Sequence, residues 1–157
     1  MPIREAKQDD AEVIIAFAQQ TFGFGPDEIA VVRESLPGNG GPSDVYLVDE
    51  EGGTVVGLAH FAPERMTDGT WNLYMLGVHP DHRRGGRASR LIEAVEADLL
   101  ARDENRGRLL IVETIPDDED FTAANALYQR HGFKEVARIP EFYATGTDKL
   151  VYAKPLA

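Results

Sequence analysis

The sequence contains no cysteine, and that absence removes a disulfide framework, a zinc–thiolate centre and a thiol nucleophile together. It also fits a reducing compartment, and a cytoplasmic location is expected. Serine is scarce: Ser35, Ser43 and Ser89 are the only three, and none stands in a G-x-S-x-G elbow, so no serine is set up to carry an acyl-enzyme. No run of about 18 apolar residues occurs, and the opening Met1-Pro2-Ile3-Arg4-Glu5 is charged rather than apolar, so neither a membrane span nor an export signal is expected. Positive charge is also in short supply, with 16 Lys and Arg against 27 Asp and Glu and a net charge of −11. Nucleic acids and anionic membranes are held largely by Lys and Arg, so neither is an expected partner.

What is present suits one folded domain. The 157 residues are 43% hydrophobic and 27% charged, enough to bury a core, and with no internal repeat and no dividing linker the whole of 1–157 is expected to form a single domain. Periodicity predicts a strand at Ile3–Ala6, then a helix from Asp9 with Val13, Ile14, Phe17 and Ala18 on one face. Phe22–Pro42, broken by Gly23, Gly25, Pro26, Pro37, Gly38, Gly40 and Gly41, reads as a partly helical connection short of core residues. Val45–Asp49 and Thr54–Phe61 form a hairpin across Glu50-Glu51-Gly52-Gly53, a turn demanding positive φ. Thr70–Val78 is a further strand. Gly85–Arg102 is the clearest helix, with Leu91, Ile92, Val95, Leu99 and Leu100 in one stripe. Arg108–Thr114 reads as a strand buried on both faces. A helix over Thr122–His131 stops at Gly132, and Phe133–Arg138 and Lys149–Ala153 close the chain as strands. The order β-α-β-β-β-α-β-α-β-β predicts a mixed α/β sheet with helices on its faces.

The chemistry concentrates between the strand ending at Val78 and the helix that follows. Arg83, Arg84, Arg87 and Arg90 are four of the sixteen basic residues and fall within eight positions, where a helix begins. Cations at a helix N-terminus are unfavourable by roughly 0.3–1 kcal/mol each unless an anion is present. Gly85 and Gly86 let backbone approach a ligand, and the first-turn N–H groups, Gly86 to Ser89, form a cradle for a diphosphate. Neither the P-loop pattern nor G-x-G-x-x-G is matched by R-R-G-G-R-A.

Arg83-Arg84-Gly85-Gly86-Arg87-Ala88 does resemble the acetyl-CoA loop [QR]-x-x-G-x-[GA] of the GCN5-related N-acetyltransferases, the GNAT family, and Val78-His79-Pro80 precedes it as V-x-P does there. Ala124-Asn125-Ala126-Leu127-Tyr128-Gln129-Arg130-His131-Gly132-Phe133 resembles the family's second block, A-x-x-x-Y-x-x-x-G-F, and the opening Ile3-Arg4-x-Ala6-x-x-x-Asp9 is similar to its start. The resemblance runs from Ile3 to Leu156. It implies a single-domain GNAT-like fold with a mixed, mostly antiparallel sheet flanked by helices.

It further implies an acetyl-CoA-dependent N-acetyltransferase, without a metal, in which a primary amine of a small molecule or a peptide N-terminus attacks the thioester directly. The backbone of Leu76 and Val78 would pair with the pantetheine arm, Gly77 between them allowing close approach. Arg83, Arg84, Gly85, Gly86, Arg87, Ala88 and Ser89 would hold the diphosphate. One departure is Phe121, where many relatives place an asparagine on the pantetheine arm; Asn125 is the candidate replacement.

Tyr128 matches the family's general acid. At its ordinary pKa of about 10, protonating a thiolate near 8.5 is uphill by about 2 kcal/mol, so that role asks for a lowered pKa or a desolvated thiolate; the competing reading makes Tyr128 a core aromatic. Glu113, a lone carboxylate ending an apolar strand, is the candidate base, against a salt-bridged reading and against Tyr74, His60 or a water relay. Tyr143, with Tyr74, is the candidate substrate wall, a role the resemblance implies for the Ile139–Tyr143 segment. Asp117-Asp118-Glu119-Asp120 reads as a solvated loop, and His79 and His82 as loop residues. A homodimer is a family tendency. The rival readings are a catalytically silent CoA-binding module and a nucleotide-phosphate protein of another α/β fold.

Overall fold

Gly23 stops the first helix by taking the left-handed conformation (φ 68°) and donating its N–H to Gln19 O at 3.1 Å, the usual role of a glycine past a helix end. The computed structural model describes residues 3–38 and 43–157; Met1 and Pro2 of the N-terminus and Gly40, Gly41 and Pro42 of the breaker-rich stretch lie outside the described residues. The elements are β1 (Ile3–Glu5), α1 (Ala11–Phe22), α2 (Pro26–Ser35), β2 (Val45–Glu51), β3 (Thr54–Pro63), β4 (Thr70–Val78), α3 (Arg87–Leu100), β5 (Leu109–Thr114), α4 (Glu119–Arg130), β6 (Lys134–Ala144) and β7 (Thr147–Pro155). This is the mixed, mostly antiparallel α/β fold expected. Helix α2 lies within Phe22–Pro42, which reads from sequence as a partly helical, breaker-rich connection.

Two compact units share the chain, Met1–Ala62 with Met75–Asp98, and Pro63–Tyr74 with Leu99–Ala157. In the first, the strand order is β1-β2-β3-β4, and β2 pairs antiparallel with both β1 and β3. The β2–β3 turn is Gly52-Gly53, both at positive φ (59° and 81°), as a tight hairpin requires. The core of this unit joins Ile14, Phe17 and Ala18 of α1 to Tyr46, Val48 and Leu58 of the strands, and Ile29 and Val32 of α2 belong to it. Pro26 at the first turn, with Asp27 and Glu28 beside it, starts α2 as its dipole favours. Leu36 beyond its end is fully buried, and Ser35 Oγ lies 2.5 Å from Tyr46 Oη. The expectation of a core-poor connection is therefore corrected: Ile29 and Val32 on one face of the helix, with Leu36 just past its end, anchor the segment on the core.

In the second unit the order is β4-β5-β7-β6. The N-terminal half of β4 runs parallel to β5, from Thr70 opposite Leu109 to Leu73 opposite Val112. β5 pairs antiparallel with β7, placing Glu113 opposite Val151. The expectation that β5 is buried on both faces is corrected too, since Leu110, Val112 and Thr114 are buried while Leu109, Ile111 and Glu113 are partly open. Tyr128 of α4 packs edge-on to Phe133 at 5.7 Å and tilted to Tyr152 at 6.1 Å. Gly132 (φ 90°) ends α4 as expected, and Asp118 caps its start by accepting from Asp120 N at 2.8 Å, so the acidic run is a helix cap and first turn as well as a loop.

Candidate active site

The loop from β4 to α3 is held by its own arginines. Arg83 Nε donates to Val78 O at 3.0 Å, and Arg90 Nη1 donates to Gly85 O at 2.9 Å. Arg84 and Gly86 both take positive φ (71° and 76°), a conformation that suits glycine and strains arginine. A Cβ built on Gly85 would meet nothing within 4 Å, so the space over that peptide is open. The Arg90 amide donates to Gly86 O at 3.0 Å, so the glycine pair leads straight into the first turn of α3, where backbone N–H groups favour an anion. Arg84 is exposed and makes no hydrogen bond or ion pair among the described residues. Open backbone, helix-start amides and an uncommitted guanidinium together fit a diphosphate.

Three expectations change. Arg87 needs no external anion: its guanidinium meets the fully buried Asp49 at 3.0 Å and also Glu51, so its side chain is a brace between α3 and β2. Gly77 lacks a side chain because of Phe22, whose ring would stand 2.7 Å from a Cβ there; the close approach is made by α1. The Val78 carbonyl already accepts from Arg83, which leaves its amide and the Leu76 backbone as the pantetheine candidates.

The second unit carries the other candidates. Its sheet register collects Asn72 and Tyr74 of β4, Glu113 of β5 and Lys149 of β7 on one face, because directly opposed residues share a face and alternate residues repeat it. Glu113 Oε1 meets Lys149 Nζ at 2.8 Å, and its Oε2 lies 3.4 Å from Asn72 Nδ2. The salt-bridged reading of Glu113 is the one realised, with Lys149 on Oε1, so a base role would fall to Oε2. The Lys149 ammonium lies 3.5 Å from the ring centroid of Phe142 and 5.7 Å from that of Tyr143, a cation–π arrangement. The two aromatic residues sit where β6 loses register between Ile139 and Ala144, around Glu141 at φ 52°. Burial and the negative charge of Glu113 raise the Tyr143 pKa.

Sequence reasoning missed Glu64, in the turn between β3 and β4. Its Oε1 accepts from Tyr74 Oη and from Asn72 Nδ2, both at 3.1 Å. Nothing in its sequence surroundings marks it; the signal is the register that brings Asn72 and Tyr74 beside it.

Asn125 is a brace: it accepts from Thr114 Oγ1 at 2.9 Å and donates to Ile115 O at 3.1 Å, so both ends of its amide tie α4 to the end of β5. Tyr128 has a buried ring, and burial pushes its pKa up to about 12, opposite to the direction that would ease proton donation. Its hydroxyl makes no hydrogen bond among the described residues. His60 is buried in the first unit, 2.7 Å from Asp44 Oδ2 and stacked on Tyr46, committed to that pair. His79 Nδ1 accepts from Asp81 N at 3.2 Å, and His82 faces Glu51. No helix among the described residues is long and apolar enough to cross a membrane.

Comparison with known proteins gives this arrangement its family. Residues 42–135 match the family model for the acetyltransferase (GNAT) domain. An acetyltransferase of Photorhabdus laumondii is 33% identical over 127 residues, 78% of this chain and 80% of that protein. A GNAT-family protein of Desulfovibrio desulfuricans superimposes with a TM-score of 0.85 at 27% identity, covering 99% of this chain and 98% of that one. An aminoglycoside 6'-N-acetyltransferase solved with coenzyme A shares the fold, with a TM-score of 0.83 at 17% identity over 100% of this chain and 98% of its own. The chain belongs to the GNAT acetyltransferases. It is an acetyl-CoA-dependent N-acetyltransferase.

Proposed function

We propose that residues 1–157 act as one acetyltransferase domain that moves the acetyl group of acetyl-CoA directly to a primary amine of a small molecule or a peptide N-terminus. The amine nitrogen attacks the thioester carbonyl, a C–N bond forms, the C–S bond breaks, and the CoA sulfur leaves with the bonding pair while the nitrogen loses a proton. The observation that carries the reading is the β4–α3 loop, with open space over Gly85, helix-start amides and the uncommitted Arg84. The amides of Gly86 to Ser89 and Arg84 hold the diphosphate, while Arg83 and Arg87 keep the loop in shape. Tyr128, neutral across the physiological range, serves as a hydrogen-bond donor to the departing sulfur. The absence of cysteine supports a cytoplasmic setting. The edge strand β6, exposed along its length, supports a homodimer.

Thiol release from acetyl-CoA over a panel of primary amines tests this reading. Turnover with at least one amine is expected. CoA binding with no release across the panel would instead give the silent CoA-binding module.

A further inference from the structure

The end of α1 places an aromatic wall against β4. A Cβ built on Gly77 would stand 2.7 and 2.8 Å from two carbons of the Phe22 ring and 3.2 Å from Thr21 Cγ2, so ring and strand are in van der Waals contact and no space remains between them. Phe22 is fixed there by two further rings, stacked on Phe24 at 5.4 Å and edge-on to the buried Phe17 at 6.1 Å. Phe22 and Phe24 are only partly buried themselves, which leaves an apolar surface open beside the strand. Gly77 separates Leu76 from Val78, the two residues whose backbone is the candidate partner of the pantetheine arm. An arm that leaves its diphosphate at the β4–α3 loop runs back along β4, so its thioester end reaches the level of Leu76, and the acyl group extends from there beside Phe22. All of these residues belong to the first compact unit.

We propose that Phe22, backed by Phe17 and Phe24, is the stop that limits the acyl group of the co-substrate to the two carbons of acetyl. The proposal rests on the pantetheine placement above. Phe22 is a specificity residue: it takes no part in bond making, and it excludes longer acyl-CoA because a ring already in contact with the strand has no room to yield to further methylenes. Where room exists, two more buried methylenes favour binding by about tenfold, so removing the ring turns a clash into an attraction.

The test is calorimetric titration of CoA, acetyl-CoA and butyryl-CoA into the wild type, Phe22→Ala and Phe22→Leu, and it needs no amine acceptor. The wild type is expected to bind acetyl-CoA at least tenfold more tightly than butyryl-CoA. Phe22→Ala is expected to gain about tenfold for butyryl-CoA, with its affinity for CoA within twofold of the wild type. Phe22→Leu is expected to move in the same direction by a smaller factor, and it decides the matter if the alanine variant does not fold. A gain for one ligand is not produced by loss of structure. A preference for acetyl-CoA kept unchanged by the folded variants overturns the proposal. So does an equal change for all three ligands, which makes Phe22 a support of the arm rather than of the acyl group. A wild type that binds none of the three rejects the cofactor loop and the proposal with it, so the CoA titration alone tells the two failures apart.

Discussion

The β4–α3 loop and the carboxylate–aromatic face of the second unit are built in opposite ways. The loop is one contiguous stretch whose shape comes from backbone conformation: positive φ at Arg84 and Gly86, and arginine side chains folded onto carbonyls of the same segment. The face is assembled from Glu64, Asn72, Tyr74, Glu113, Phe142, Tyr143 and Lys149, residues from four strands and a turn, and its properties come from pairing between side chains. A contiguous site can be written as a motif. A site made by register cannot, and its residues show no pattern until the strands are aligned.

The sharpest way to break this contrast is at Arg87, which lies in the motif but behaves like a member of an assembled cluster. Arg87→Met leaves Asp49, 1% exposed, without its cation and is expected to cost about 3–5 kcal/mol of stability, with partial recovery in the double variant carrying Asp49→Asn, read by chemical denaturation. A large loss of CoA affinity with stability intact would return Arg87 to the diphosphate contacts. Gly86→Glu places a side chain and a negative charge at a left-handed position and is expected to weaken CoA binding a hundredfold or more by calorimetry; unchanged affinity would remove the loop from the site.

Legibility followed the same divide. The hydrophobic stripe of α3, the Gly52-Gly53 hairpin and the Gly132 stop could be read because each depends on neighbours within a few residues. The part α2 plays in the core could not, since Ile29, Val32 and Leu36 become core only against Tyr46 and the strands. Gly77 reads from sequence as a ligand contact because a sequence cannot show that Phe22 arrives there. Glu113 was found as a strand-end carboxylate, but its partner Lys149 lies 36 positions away and only the β5–β7 register joins them.

Two smaller effects sharpen the comparison within the second unit. Tyr128 has its pKa pushed up to about 12 by burial, against about 10 in an unfolded chain. The folded state therefore holds this proton more tightly, so the wild type loses stability as pH rises from about 10 to 12, by roughly 2–3 kcal/mol from this group. Tyr128→Phe is expected to flatten that part of the alkaline unfolding profile; an unchanged profile would mean that the hydroxyl is well hydrated. Asn125→Ala removes both braces of α4 to the end of β5 and is expected to cost about 1–2 kcal/mol with CoA affinity unaltered. A loss of affinity in Asn125→Ala at constant stability would restore its contact with the cofactor.

Each compact unit is drawn from two separate lengths of chain, and the backbone passes from one to the other after Ala62, after Tyr74 and after Asp98. No single cut in the gene therefore releases either unit as a continuous polypeptide. The strand that ends in the β4–α3 loop begins as a partner of β5, so half of β4 serves each unit. Truncation, the usual route to isolating one compact unit, is closed for this protein. Exchange of acceptor preference between relatives has to proceed by replacing individual side chains within an uninterrupted chain, because moving the ends to any of those three crossings leaves the lengths of the two units alternating.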